Sequence, residues 1–238
     1  MRRTAIVFGQ IALLLAGFAQ LAVAERILDC DFEDQPLDQL IGTGGAAAHQ
    51  PVDLGGIAAT VRTSPTGGQA LEIVDDADFG ALTVRFEFLE SAEITTGVLT
   101  LNALLHFVDD NRYLVYVREQ AGAAHSFLNL AFGDGGIVSQ GDADDGGNFP
   151  VGTYTLGEDL PLTITLDLDA GTCAVSLDGV EIVPAESTGV SGAGVGSILF
   201  GFDHDPDLIG DYYIQSLSAD WTATAVAART FSTVKAAW

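Results

Sequence analysis

The sequence predicts an all-β protein built as one antiparallel β-sandwich. Three observations carry this. Apolar and polar residues alternate with period two in many short runs. Turns rich in Gly, Asp and Pro separate those runs. Between residue 25 and the C-terminal tail, no stretch carries a helical stripe. A parallel sheet would need helical crossovers, and the sequence offers none.

The first 24 residues stand apart from this pattern. Arg2 and Arg3 precede an apolar stretch from Ile6 to Ala19, and Ala22-Val23-Ala24 has the small-x-small form of a signal peptidase site. The stretch is short for a membrane span. Residues 1–24 are therefore expected to be a secretory signal peptide, followed by one domain over 25–221 and a tail over 222–238. A secreted or extracytoplasmic protein with no membrane span after signal removal follows from this.

Along the domain, Leu82, Val84, Phe86 and Phe88 alternate with Thr83, Arg85 and Glu87. Tyr113, Val115 and Val117 alternate with Arg112, Leu114, Tyr116 and Arg118. Leu162 to Asp169 and Cys173 to Asp178 repeat the pattern. Further strands are expected at 27–32, 58–62, 70–74, 94–101, 127–132, 195–202 and 212–221. Asp178-Gly179 lies between two apolar runs and predicts a tight hairpin, because both residues tolerate positive φ. So many short strands with Gly-rich turns indicate a sandwich of the jelly-roll kind. Residues 142–148 read as a solvated loop. In the tail, Phe231, Val234 and Trp238 fall at i, i+3 and i+7, which suits a short helix or a frayed terminus.

Charge narrows the function. The 238 residues include 33 Asp and Glu against 9 Lys and Arg, for a net charge of −24. A nucleic-acid partner held through its phosphates needs a basic face, and no basic cluster exists. The same ground argues against an anionic membrane surface. Aromatic residues make up 8% of the chain and Trp is limited to Trp221 and Trp238, so a flat Trp platform for crystalline polysaccharide is not expected.

Two cysteines, Cys30 and Cys173, both fall on expected strands. Export permits a disulfide between them, and the alternative is two buried free thiols.

A family resemblance enters through several segments. Asp31-Phe32-Glu33-Asp34-Gln35-Pro36-Leu37 resembles the opening strand of secreted concanavalin A-like (laminin G-like) jelly rolls. His106-Phe107-Val108-Asp109-Asp110-Asn111-Arg112-Tyr113 is similar to their F-x-D-x-N-x-Y hairpin. Residues 162–166 followed by 175–182 resemble their paired strands around V-D-G. Residues 196–201 and then Tyr212 to Trp221 resemble a final strand that returns beside the first. The resemblance spans 29–221. It implies two curved antiparallel sheets and, in many members, a glycan-binding face. It does not imply catalysis, since one scaffold hosts many activities.

Catalytic signatures are missing from the sequence. No Glu begins the E-x-D-x-x-E strand of laminarinase-type glucanases, and neither Gln-x-His nor Gly-x-Ser-x-Gly occurs. His49, His106, His125 and His204 show no metal-protease spacing. No catalytic residue is assigned.

The candidate ligand face rests on the scarce cations. If their strands neighbour one another, Arg85, Glu87, His106, Tyr116, Arg118 and Asn129 line one face, where Arg forks and Tyr rings suit sugar hydroxyls and carboxylates. The alternative is that each Arg pairs with a carboxylate across the sheet. For metal, one structural Ca²⁺ is a candidate, weighed against solvated acidic turns. Its candidate ligands are Asp203, Asp205 and Asp207, with Asp142, Asp144 and Asp145 as a second cluster. The resemblance adds Glu33, with Gln215 standing where relatives place an Asp. The leading expectation is a secreted non-catalytic module that binds a glycan or a glycosylated surface. The alternatives are a structural or adhesion protein of the cell envelope, and a divergent polysaccharide hydrolase or lyase. Oligomeric state is left open.

Overall fold

A computed structural model describes residues 23–55, 57–74, 83–90, 92–119, 126–133, 135–141, 148–187, 194–202 and 210–224. These residues form fourteen strands in two antiparallel sheets, a β-sandwich of the jelly-roll kind. The larger sheet, sheet A, has the order β12 (Val180–Ser187), β11 (Thr172–Leu177), β10 (Asp159–Asp167), β5 (Val98–Phe107), β14 (Asp211–Thr222), β3 (Gln69–Val74) and β2 (Ala59–Thr63). β1 (Glu25–Asp31) pairs with the second half of β14, while β3 pairs with its first half. Sheet B has the order β4 (Thr83–Glu87), β13 (Ser197–Phe202), β6 (Tyr113–Arg118), β7 (Ser126–Gly133), β8 (Ile137–Gly141) and β9 (Asn148–Thr153).

Alternation in sequence becomes two-sided burial. Leu99, Leu101, Leu105 and Phe107 of β5 face inward, as do Leu162, Ile164 and Leu166 of β10. Val84 and Phe86 of β4, Val115 and Val117 of β6, and Ile198, Phe200 and Phe202 of β13 meet them from sheet B. Aromatic rings fill one end of this core. Phe107 and Tyr113 stack with centroids 4.4 Å apart, and Phe132, Tyr154, Phe202 and Tyr212 pack around them. Large rings give this end a sizeable share of the hydrophobic stabilisation.

Two expectations are met closely. The Asp178-Gly179 turn joins β11 to β12 with Leu177 opposite Val180, and both turn residues have positive φ, 47° and 73°. The last strand returns beside the first, with Cys30 opposite Leu217.

Three expectations are corrected. The segment from His106 to Tyr113 is not a hairpin. β5 belongs to sheet A and β6 to sheet B, so the chain crosses between sheets there. The two aromatic residues of the motif stack across the core, and Tyr113 Oη–H donates to Asp109 O at 2.7 Å, which ties down the corner. The expected strand at 94–101 starts later and runs on to Phe107. Cys30 and Cys173 are both free and buried. β14, β5 and β10 lie between their strands, which puts them on the order of 19 Å apart, far beyond disulfide reach.

The outer edges are blunted. Ile41 and Val61 exchange backbone hydrogen bonds with Ala59 and Gln39, so residues 39–41 cover β2. Val52 and Asp53 likewise pair with Arg85 on β4. The edge strands β9 and β12 each carry a proline, Pro150 and Pro184, which removes a donor from the edge. Among the described residues, no helix is long and apolar enough to cross a membrane. Residues 1–22 and 225–238, which hold most of the expected signal peptide and tail, lie outside the described set.

Candidate functional site

The outer face of sheet B gathers five of the six candidate ligand residues. Directly opposed residues in an antiparallel sheet share a face. Arg85 opposes Leu199, Leu199 opposes Tyr116, and Tyr116 opposes Asn129. One row therefore runs across β4, β13, β6 and β7, and spans about 14 Å from Arg85 to Asn129. The neighbouring row is Glu87, Ser197, Arg118 and Ser126.

This face is recessed. Ser197 is fully buried and Leu199 is only 7% exposed, although both point away from the core. Leu114 and Ala131 on the same face are also buried. They form an apolar floor from which Arg85, Glu87, Tyr116, Arg118 and Asn129 reach out half-buried. An apolar floor with a few polar groups is the usual make-up of a ligand site.

Each polar group has a defined local setting. Arg85 Nη1 lies 3.9 Å from Glu87 Oε1, a long contact between residues two apart on one strand. Arg118 Nε–H donates to Ser126 Oγ at 3.0 Å, and its guanidinium carbon sits 4.3 Å from the centre of the Tyr116 ring. This contact and the Ser126 bond together restrain the guanidinium. Asn129 packs against the backbone of Gly141, where an added Cβ would lie 2.6 Å from Asn129 Nδ2. Gly141 on β8 thereby sets the position of the Asn129 amide.

His106 is not part of this face. It sits on β5 in sheet A, because β5 pairs with β10 and β14 and makes no ladder with β6. There it is 3% exposed, and its Nδ1 lies 3.1 Å from Asp159 Oδ1. A carboxylate only accepts, so Nδ1 carries the hydrogen. The same Asp159 oxygen accepts from Thr66 Oγ1 at 2.8 Å and from Gln215 Nε2. His106 belongs to a second row, Glu72–Tyr213–His106–Asp159, which crosses β3, β14, β5 and β10. In it Tyr213 Oη–H donates to Glu72 Oε1 at 2.7 Å, and Arg62 Nε donates to Glu72 Oε2 at 3.2 Å.

The metal candidates find other work. Glu33 accepts the Gln69 N–H at 2.9 Å, and Gln69 Nε2 donates back to the Glu33 carbonyl, so Glu33 ties down the start of β3. Gln215 sits at a bulge in β14, where the register shifts between Ile214 and Ser216. It turns its amide nitrogen, a donor that cannot ligate a cation, toward Asp159 and Thr66. Glu33 and Gln215 are thus each engaged with protein partners. Among the described residues no group of three His, Cys, Asp or Glu is placed to hold a metal. Asp142, Asp144, Asp145, Asp203, Asp205 and Asp207 lie outside the described residues. Both thiols are pushed up to about 12 by burial, with Asp29 and Asp31 adding to the effect at Cys30.

Sequence reasoning missed one feature. A cleft of about 450 Å³ opens between β9 and β12, with Glu158, Asp159, Asp178 and Glu181 in its lining. The weak alternation of Asn148–Thr153 hid the strand that forms one wall.

No protein-family model matches the chain, and no curated protein sequence matches it. Solved structures do. The chain superposes on the cellulose-induced protein Cip1 with a TM-score of 0.56 at 13% identity, covering 81% of this chain and 96% of that one. An alginate lyase of polysaccharide lyase family 7 gives 0.52 at 13% identity, covering 69% and 84%. A sialidase gives 0.54 at 12% identity over 74% of this chain, which spans only 19% of the sialidase. At such identities the likeness shows a shared fold.

Proposed function

We propose that the protein is a non-catalytic glycan-binding module whose binding face is the outer side of sheet B. The observation that carries the reading is the row Arg85–Leu199–Tyr116–Asn129 beside Glu87–Ser197–Arg118–Ser126. It offers an aromatic ring for a sugar face, forked donors and an amide for hydroxyls, and an apolar floor. Glu87 is the carboxylate that the register of these strands places there, and it faces Arg85. A glycosidase needs two carboxyl groups at a set separation, and these two rows of described residues hold one, which supports the binding reading. The carbohydrate-related names among the structural neighbours agree with the reading.

The experiment is depletion of the purified protein from solution by a panel of soluble and insoluble polysaccharides. Binding to a glycan, lost on Tyr116→Ala, is expected. No depletion by any glycan would turn the reading toward a structural or adhesion protein that recognises protein.

A second reading, a divergent hydrolase or lyase, is favoured by the carboxylate-lined cleft between β9 and β12. The same panel tests it. New reducing ends or unsaturated products that vanish on Glu181→Gln would establish that reading in place of the first.

A further inference from the structure

The arginines of this acidic chain are not equivalent. Arg26 lies within ion-pair distance of Asp29 and Asp220, Arg62 of Glu72 and Asp38, and Arg85 of Glu87. Arg118 has instead a serine hydroxyl and an aromatic ring. Among the described residues, the ion pairs of Arg26, Arg62 and Arg85 have no counterpart at Arg118, whose contacts are the Ser126 hydroxyl and the Tyr116 ring.

The neighbourhood explains it. β6 lies between β13 and β7. The sequence over residues 120–133, which includes β7, holds no Asp or Glu. Neither does the sequence over residues 187–202, which includes β13. The acidic side chain next in the row, Glu87, is two strands away, about 10 Å. That exceeds the screening length of about 8 Å at physiological salt. Glu119, next in sequence, gives its backbone carbonyl to Ser197 Oγ at 3.0 Å. The guanidinium is meanwhile held by its Nε and by the Tyr116 ring, which leaves the Nη edge as the fork that can meet a planar acceptor.

We propose that Arg118 is the receptor for a sugar carboxylate, so that the glycan of the sheet B face is one that bears uronic acid. The inference rests on the glycan-binding reading and deepens it. The overall charge of −24 opposes polyanions at a distance, and the acid-free sequences of β7 and β13 together with salt screening reduce that opposition near the fork. A carboxylate can meet the fork through two parallel hydrogen bonds.

The test uses the purified protein in 0.15 M salt with oligogalacturonate, oligomannuronate and hyaluronan fragments. Each is compared with its own carboxyl-reduced form, and dextran sulfate is added as a separate arm. The proposal expects at least one uronate to bind, with a tenfold or greater loss on carboxyl reduction. It expects the same loss for Arg118→Gln and incomplete recovery with Arg118→Lys, which keeps the charge and lacks the fork. Thermal melts of the variants establish that they fold; if Arg118→Gln does not, the carboxyl-reduced comparison on the unaltered protein decides. Equal binding of reduced and unreduced sugars, or binding to neutral glycans alone, overturns the proposal and leaves the glycan-binding reading standing. Binding to dextran sulfate but to no uronate overturns the carboxylate assignment. Absence of binding to any glycan removes both.

Discussion

His106 on β5 and Asp159 on β10 stand directly opposite one another, with Nδ1 3.1 Å from Oδ1, on the face of sheet A that points away from sheet B. One carboxylate oxygen serves His106, Thr66 and Gln215 together, and so joins a hairpin loop, a bulge and two neighbouring strands. Removing it leaves the buried His106 Nδ1–H without this acceptor, while Gln215 Nε2 keeps Thr66 Oγ1 at 3.2 Å. Asp159→Ala is therefore expected to lower stability by about 1–2 kcal/mol, with glycan binding unchanged. Chemical denaturation and polysaccharide depletion on the same variant check both halves. A loss of binding without a loss of stability would place the site on sheet A.

Gly141 supports Asn129 by lacking a side chain. Its Cβ would meet Asn129 Nδ2 at 2.6 Å and Cγ at 3.0 Å. Gly141→Ala should displace the amide and weaken glycan binding several-fold, while the melting temperature moves little because β8 remains paired. Titration of one bound oligosaccharide against the unaltered protein and the variant decides this.

The thiols are expected to be inert in the native protein. Burial holds both at about 12, and Cys30 Sγ–H is engaged with the His49 carbonyl at 2.7 Å. An aromatic disulfide reagent at pH 8 should titrate almost no thiol until denaturant is added, and then two. A reducing agent should leave the melting temperature unchanged. A melting temperature that falls on reduction would contradict the strand order of sheet A.

Asp211 gives a pH dependence of defined sign. Its carboxyl is held above the ordinary carboxylate value, chiefly by desolvation, with repulsion from Glu72 and Asp109 adding to it. The folded state thus binds this proton more readily than the unfolded chain does. Between the ordinary value of 3.8 and the raised folded value, this group makes stability fall as pH rises. Asp211→Asn keeps the backbone carbonyl that Val108 N–H and Tyr113 Oη–H use. It should raise the melting temperature at pH 7, with the gain vanishing below the unfolded value. A variant less stable at pH 7 would show that the charged form has a favourable partner.

Much of this was legible in the sequence, for local reasons. Alternation in 82–88 and 112–118 put Arg85, Tyr116 and Arg118 on the polar side of their strands, and the register confirms that shared side. Asp178-Gly179 announced its turn because positive φ is a property of those two residues themselves. What failed was non-local. Nothing in residues 98–107 says which sheet β5 joins, so His106 was grouped with the wrong face. The distance between Cys30 and Cys173 depends on three intervening strands that only pairing reveals. The bulge that turns Gln215 toward Asp159 is likewise a consequence of β14 meeting β5. β8 and β9, short and each containing Gly or Pro, carry too little alternation to be read as strands.

The central claim is that the outer face of sheet B binds the glycan. Hydrogen–deuterium exchange of the backbone, followed with and without a bound oligosaccharide, tests it most directly. The account predicts added protection in β6, β7 and β13, around Tyr116, Arg118 and Asn129, with β5, β10 and β14 unchanged. Protection centred on His106 and Asp159, or on the cleft between β9 and β12, would contradict it.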